Sequence, residues 1–380
     1  MKVLAPLYAK LSGRYRVTVL ALTSAGAYMR NQGIPSIGFR DFDFTNSAKI
    51  QSYGQALAAD IPHNDLVSRE ETVAYLGASF FDLVDQLGDE VSAYECYRHR
   101  GRAAFLPVAS LKRIIAKLRA DLVITTNAPR AERAALVAAR EAGLLTLCVN
   151  DNLWVDSGAV DIANQDLADR ICVLNSAVKD QIVSKTGVSH EVVKVTGTPV
   201  FDSVKKTAWV PGDSSIPRVL LADCDIPNTL SGYKNLIPDV DQLTRIELNR
   251  LAEKGLIDVF FRPHPHQLYN YTDFRASKIS PKNESLHQRL ANTDVVVTAI
   301  STVGVEGKAM GLGLVSLEKT VYTTVQSYAR IGLSTGIVKP QCLESAIFRE
   351  MGGVGSSEPL YEGDAAANIF HVIESLFVDA

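Results

Sequence analysis

Apolar positions along this chain recur at two different spacings, and the alternation between those spacings divides it into elements. Residues 1–11 carry Val3, Leu4, Leu7, Tyr8 and Leu11 at helical spacing. Residues 16–22 are rich in β-branched side chains and predict a strand, and residues 37–40 predict a second, short one. Helices are predicted over 70–86, ending at Gly88, and over 108–118, where Leu111, Ile114, Ile115 and Leu118 fall in register. A strand at 121–125, an alanine-rich helix at 129–142 stopped by Gly143, and a strand at 144–149 then form a complete strand–helix–strand unit. Strands at 170–174 and 192–196 flank a helix at 176–186, with Ser176 as its expected N-cap.

Residues 209–217 hold two prolines, a glycine and two serines and read as a linker. A second alternation follows, with strands at 218–222, 258–261, 294–298 and 314–317 and helices at 240–254, 286–291 and 302–310. An amphipathic helix at 363–377 ends the chain. The strands are short continuous apolar runs, as in a parallel sheet covered on both faces. The fold class is therefore α/β, with two Rossmann-like doubly wound parallel-sheet domains over 1–208 and 218–360 and a closing helix in 361–380. In such sheets ligands bind beyond the carboxyl ends of the strands, so the loops leaving those ends carry the candidate chemistry.

The bulk numbers change this picture only at the margins. A length of 380 residues suits two domains. A net charge of −3 gives no global basic field, so nucleic acid is not an expected partner and an anionic ligand must be held locally. The five cysteines are scattered with no metal-ligand spacing, Cys148 and Cys172 lying in apolar runs as buried thiols. That usage fits a reducing, cytoplasmic compartment. No apolar run is long enough for a membrane span, and residues 1 onward lack the layout of a signal peptide. P-loop, zincin and GxSxG patterns are absent.

Three loops of the second half stand out. At 298–306 a buried strand runs through small residues into a helix. The helix N-terminus offers free N–H groups and a positive dipole end for phosphate, Ser301 and Thr302 add hydroxyls, and Glu306 one turn on can accept from ribose hydroxyls. The alternative is that Ser301 is only a cap and Glu306 only a solvated helix residue. Gly304 and Gly307 would let a ligand or a strand approach closely. At 261–266 a strand delivers Arg262, His264 and His266 into a loop stiffened by Pro263 and Pro265, where they can donate to a diphosphate; the alternative is a rigid surface turn. The loop at 223–232, containing Asn228 and Thr229, is polar and long enough to touch phosphate or base, or is an ordinary loop. In the first half, residues 125–130 precede a helix, and Asp151 after the strand at 144–149 is the best-placed general base toward an acceptor hydroxyl, unless it merely caps a turn. The basic run from Tyr97 to Arg102 is a solvated loop or a contact for an anionic acceptor or lipid surface.

These residues resemble a known family. Residues 195–202, VTGTPVFD, look like the VxGNPxxD end of the first domain in bacterial glycosyltransferases of the GT-B fold and in the related UDP-N-acetylglucosamine 2-epimerases. The RPHP of Arg262 to Pro265 resembles that of CDP-glycerol glycerophosphotransferases and capsule-polysaccharide transferases, and residues 301–311 resemble the SxxxxE donor-nucleotide segment. The likeness covers most of residues 100–380. It implies two domains facing a cleft, with the closing helix crossing back to the first. It also implies that Ser301 and Thr302 bind donor phosphates, Glu306 the ribose, and His264 the diphosphate or leaving group, in enzymes that are usually metal-independent.

Two departures bear on activity. The segment after the strand at 144–149 reads Asn150-Asp-Asn-Leu-Trp154, where the epimerases carry an acidic segment, and the loop after 218–222 lacks their His-Arg-rich character. The strand and glycine-rich loop that open GT-B first domains are expected to be absent here, through a late start or a real loss. The expected activity is transfer of a sugar, or a glycerol-phosphate-like group, from a nucleoside diphosphate donor to a polysaccharide, lipid or small acceptor, with no tightly bound cofactor. A 2-epimerase and a catalytically silent nucleotide-binding subunit are the alternatives. A homodimer and a peripheral contact with the inner face of a membrane are compatible with each.

Overall fold

The computed structural model describes residues 3–150, 153, 157–204, 216–263, 277–281, 284–351 and 360–379. The chain divides into two units, one formed by Met1–Pro199 together with Gly363–Ala380 and the other by Val200–Glu362. Most of the expected linker at 209–217 lies outside the described residues.

The first unit holds a sheet of four strands, β1 (Leu122–Thr125), β2 (Leu145–Val149), β3 (Arg170–Val173) and β4 (Val193–Val195), parallel throughout and in sequence order. Apolar side chains project from both faces. On one, Leu147, Val149 and Cys172 meet Val3, Leu7 and Leu11 from the helix region Ala5–Leu11 and Ile369, Ile373 and Leu376 from the helix Ala365–Asp379. Burial pushes the Cys172 thiol up to about 12, so it is an inert core group. A separate cluster around Phe39, Leu76, Phe80, Leu111 and Ile114 joins the helices Ala48–Ala58, Arg69–Leu87 and Val108–Leu118.

Three expectations for this unit are corrected. The segments at 16–22 and 37–40 make only a single parallel bridge, Leu20 to Ile37. Pairing stops there because the next N–H groups are taken elsewhere: Phe39 and Arg40 donate to the two carboxylate oxygens of Glu71 at 3.0 and 3.1 Å, and the chain turns into a 3-10 helix, Phe39–Asp41. The cap of the helix Ser176–Thr186 is Asn175, whose side chain accepts from Val178 N–H, so Ser176 is already inside the helix. The basic run from Tyr97 to Arg102 is not a loop but the last turn of the helix Glu90–Arg100 and the start of a 3-10 helix; cations suit a helix carboxyl end, and Tyr97 stacks on Phe105.

The second unit is built on a six-stranded parallel sheet. Its strands are β5 (Arg218–Ala222), β8 (Asp258–Arg262), β9 (Lys278–Ile279), β10 (Val295–Thr298), β11 (Gly313–Leu317) and β12 (Thr335–Ile337); a small antiparallel hairpin of β6 (Thr229–Leu230) and β7 (Tyr233–Lys234) lies between β5 and β8 in sequence. The order is β12-β11-β10-β5-β8-β9. From β5 the chain first builds outward through β8 to β9, then returns to the other side of β5 and builds through β10 to β12. The reversal makes β5 and β10 a topological switch point. No helix among the described residues is long and apolar enough to cross a membrane.

The helix Ala365–Asp379 is fastened to the first unit by polar contacts as well as apolar ones. Asn368 donates to the carbonyl of Thr196 at 3.1 Å, Arg14 pairs with Glu374, and Phe377 stacks on Tyr15. Ile373 is fully buried, whereas the Arg14–Glu374 pair is partly solvated. Ile373→Ala is expected to destabilise the first unit by about 2–5 kcal/mol, and Glu374→Ala by less than about 1 kcal/mol. Urea unfolding followed by circular dichroism checks both.

Candidate functional site

The carboxyl edge of the second sheet gathers the candidate loops. β10, β5 and β8 are adjacent and parallel, and Ala222 at the end of β5 pairs in register with Arg262 at the end of β8. The loops that follow Ala222, Arg262 and Thr298 therefore leave the same edge.

Thr298 sets the geometry at the switch point. Its hydroxyl donates to the carbonyl of Ala222 at 2.8 Å and accepts from the N–H of Ser301 at 3.2 Å. The Cys224 thiol lies 3.2 Å from the same oxygen, and since the hydroxyl proton is committed to Ala222, the thiol is the donor. These contacts bend the chain at the end of β10 into the helix Thr302–Ala309, whose N-cap is Ser301 accepting from Val303 N–H. From behind, the buried phenol of Tyr328 donates to the carbonyls of Ile300 and Ser301 at 2.9 and 2.8 Å. Burial pushes that phenol well above the usual tyrosine range and keeps it a donor. The helix lies close on the sheet because it carries glycine at its inner face. A Cβ on Gly304 would meet Leu314 Cδ1 at 2.9 Å, and one on Gly307 would meet Val296 Cγ2 at 2.8 Å. The expected close approach at these glycines is thus made by strands.

Glu306 is not simply solvated. Its Oε2 lies 3.0 Å from Nε2 of His287, in the helix Leu286–Ala291. Thr302 is exposed at the head of its own helix.

The other donor-side candidates are held by the protein itself. The Arg262 guanidinium donates to Ser280 Oγ at 3.1 Å and reaches the Glu284 carbonyl at 3.5 Å. Glu284 in turn is paired with Arg289, whose guanidinium stacks 3.6 Å from the ring centroid of Phe260. Asn228 braces its loop: its amide donates to Asp239 Oδ1 at 2.6 Å and its carbonyl oxygen accepts from Asp239 N–H at 2.7 Å. Thr229 opens the exposed hairpin strand β6. His264, His266 and Asp151 lie outside the described residues.

Arg245 and Asp241 were not singled out in the sequence. Asp223, the first residue past β5, accepts from Arg245 at 3.3 Å, and Arg245 also pairs with Asp241. Burial, and then the charge of Asp223, push the Asp241 carboxyl up to about 7 in spite of Arg245. Arg245 and Asp241 stand four residues apart on the helix Val240–Glu253, but nothing in that spacing points to a partner past β5. In the first unit, Thr125, Thr126 and Asn127 at the end of β1 are buried, and Thr126 binds Glu132 Oε2 through both its N–H and its hydroxyl at 2.5 Å.

Among solved structures the chain is similar to a Listeria monocytogenes protein described as a candidate UDP-N-acetylglucosamine 2-epimerase, with 14% identity, coverage of 100% of this chain and 94% of that one, and a TM-score of 0.60. It is similar to the UDP-GlcNAc 2-epimerase of Neisseria meningitidis bound to UDP-GlcNAc, with 12% identity, 98% and 96% coverage and a TM-score of 0.53. The glycotransferase of kitacinnamycin matches at 13% identity, 94% and 89% coverage and a TM-score of 0.53. No family model matches the chain, and no curated protein matches it. At these identities the likeness shows the fold: the chain has the GT-B fold of two Rossmann-like domains, as its sequence led us to expect.

The Asp223–Asp241 pair gives this edge a pH signature. With its carboxyl raised from the ordinary value of 3.8 to about 7, Asp241 binds its proton more tightly in the folded state than in the unfolded one. Its contribution to stability is complete below about pH 4 and is lost as pH rises toward 7. Asp241→Asn, which fixes the neutral form, is expected to flatten that decline. Urea midpoints taken between about pH 4 and pH 8 measure it.

Proposed function

We propose that this GT-B chain is an enzyme acting on nucleotide-activated sugars, and specifically a glycosyltransferase that moves the sugar from a nucleoside diphosphate donor to a saccharide, lipid or small acceptor. The observation that carries the reading is the Ser301-capped helix at the switch point between β5 and β10, with Glu306 one turn in. A helix N-terminus at this position offers N–H groups and a positive partial charge to a diphosphate, and the hydroxyls of Ser301 and Thr302 add donors. Glu306 would accept from the ribose hydroxyls. Neighbours of the same fold include one with UDP-GlcNAc bound, which supports a nucleotide-sugar ligand.

Breaking the sugar–phosphate bond leaves negative charge on the diphosphate, which fixed dipoles and cations stabilise best where water is excluded. His264 and His266 would act there, and Arg262 would contribute charge from its place beside Ser280. Asp151 would take the proton from the acceptor hydroxyl as it attacks. Asn228 and Thr229 would shape the pocket through their loop. The epimerase reading draws its support from the likeness to UDP-GlcNAc 2-epimerases.

Incubating the protein with UDP-GlcNAc, with and without saccharide acceptors, and following products by NMR separates the readings. Release of UDP that depends on acceptor supports transfer. Inversion at C2 of the sugar without acceptor supports the epimerase, and binding without turnover supports a silent subunit. A nucleoside diphosphate at about 100 times its dissociation constant should stabilise the fold by about 2.7 kcal/mol. Glu306→Ala should weaken that binding by about 1.5–3 kcal/mol through the lost charge-assisted bonds. If UDP, CDP and GDP all leave the melting temperature unchanged, the proposal is wrong.

A further inference from the structure

His287 and Glu306 meet from two elements that chain order keeps apart. The helix Leu286–Ala291 precedes β10, and the helix Thr302–Ala309 follows it. Gly307 lets the second helix lie close on β10, where a Cβ would meet Val296 Cγ2 at 2.8 Å, and Leu290 Cδ2 of the first helix stands at an ordinary contact distance of 3.6 Å from the same point. Leu290 is fully buried and fixes its helix. His287, one turn earlier, then reaches Glu306 Oε2 at 3.0 Å. An ionised carboxylate only accepts, so Nε2 of His287 carries the proton whether the ring is neutral or charged. Glu306 Oε1 accepts no hydrogen bond among the described residues.

The pair is poorly placed to serve stability. The His287 side chain is 45% exposed and that of Glu306 22%, and pairs this open to water contribute little to folding. Its effect on a ligand is another matter. A glutamate side chain has rotamer freedom that a ligand must freeze before the carboxylate can be used, and a partner that holds it beforehand removes that cost.

We infer that His287 is a positioning residue for the nucleotide subsite: by donating to Oε2 of Glu306 it holds that carboxylate in one orientation and leaves Oε1 to accept from a ribose hydroxyl. The inference rests on the reading of Glu306 as the ribose acceptor. It makes His287 part of nucleotide recognition without any contact between His287 and the nucleotide.

The test is calorimetric titration of UDP into the full chain and into His287→Ala, His287→Gln, Glu306→Ala and the double variant His287→Ala/Glu306→Ala, with a melting curve of each in the absence of nucleotide. His287→Ala is expected to weaken UDP about fivefold with an unchanged melting temperature. His287→Gln, whose amide can donate to the same oxygen, is expected to bind within about twofold of wild type. In the Glu306→Ala background, His287→Ala is expected to have no further effect, because the residue it acts through is gone. Wild-type affinity in His287→Ala, an equal loss with and without Glu306, or failure of glutamine to rescue would each overturn the inference. A wild-type chain that binds none of UDP, CDP and GDP, or a Glu306→Ala variant that binds its nucleotide normally, would instead overturn the reading of Glu306, and the role of His287 with it.

Discussion

One hydroxyl group, that of Thr298, commits the second unit to its arrangement. It has one proton and two lone pairs. The proton goes to the carbonyl of Ala222, and the lone pairs take the N–H of Ser301 and the thiol of Cys224. Those contacts join the ends of β5 and β10, turn the chain out of the sheet and set the first residue of the next helix. Valine has the same shape without the hydroxyl, and at a site 1% exposed it would leave these groups without their partner. The loops after β5 and β11 are tied in the same way, through Asn235, which accepts from Val321 N–H, and through Leu236, which donates to the Lys319 carbonyl. The carboxyl edge is thus braced by the protein before any ligand arrives, and preorganisation of this kind is what makes fixed dipoles effective toward a developing charge.

The same bracing engages several of the candidate polar residues. Asn228 and Arg262 have the chemistry of phosphate ligands, and each also braces the protein, with Asp239 in one case and Ser280 in the other. A parallel sheet produces this overlap. Its carboxyl edge needs polar groups to satisfy the backbone where strands end, and it offers the only convergent position for a ligand. Polar residues at that edge can therefore serve the backbone, a ligand or both, and residue type does not distinguish them.

That is also the boundary of what could be read from the sequence. Strands such as β2 and β10 are continuous apolar runs, a strong local signal, and the turn from Thr298 to the Ser301 cap is written in adjacent residues. The edge strands β9 and β12 are two and three residues long, and β12 contains Gly336, so neither rises above loop composition. The expected strands at 16–22 and 37–40 have the right alternation, yet Glu71 on a helix thirty residues away claims the N–H groups that would have extended the pairing. His287 and Tyr328 were invisible for the same reason. Each acts on the 300–306 segment from another element, at a distance no periodicity encodes.

The composition of the first unit carries a consequence for how the chain is made. Its core needs Val3, Leu7 and Leu11 from the beginning of the sequence and Ile369, Ile373 and Leu376 from near its end, all against β2 and β3. The second unit is continuous, from Val200 to Glu362. A ribosome that has translated residue 362 has therefore made everything the second unit needs while the first sheet still lacks the cover that Ile369, Ile373 and Leu376 give to one face. Synthesis runs at about 5–20 residues per second, so residues 363–379 follow within about 1–3 seconds. During that interval the part of the face that Ile369, Ile373 and Leu376 cover must be kept from other chains, and a nascent protein stalled before residue 365 would present it indefinitely.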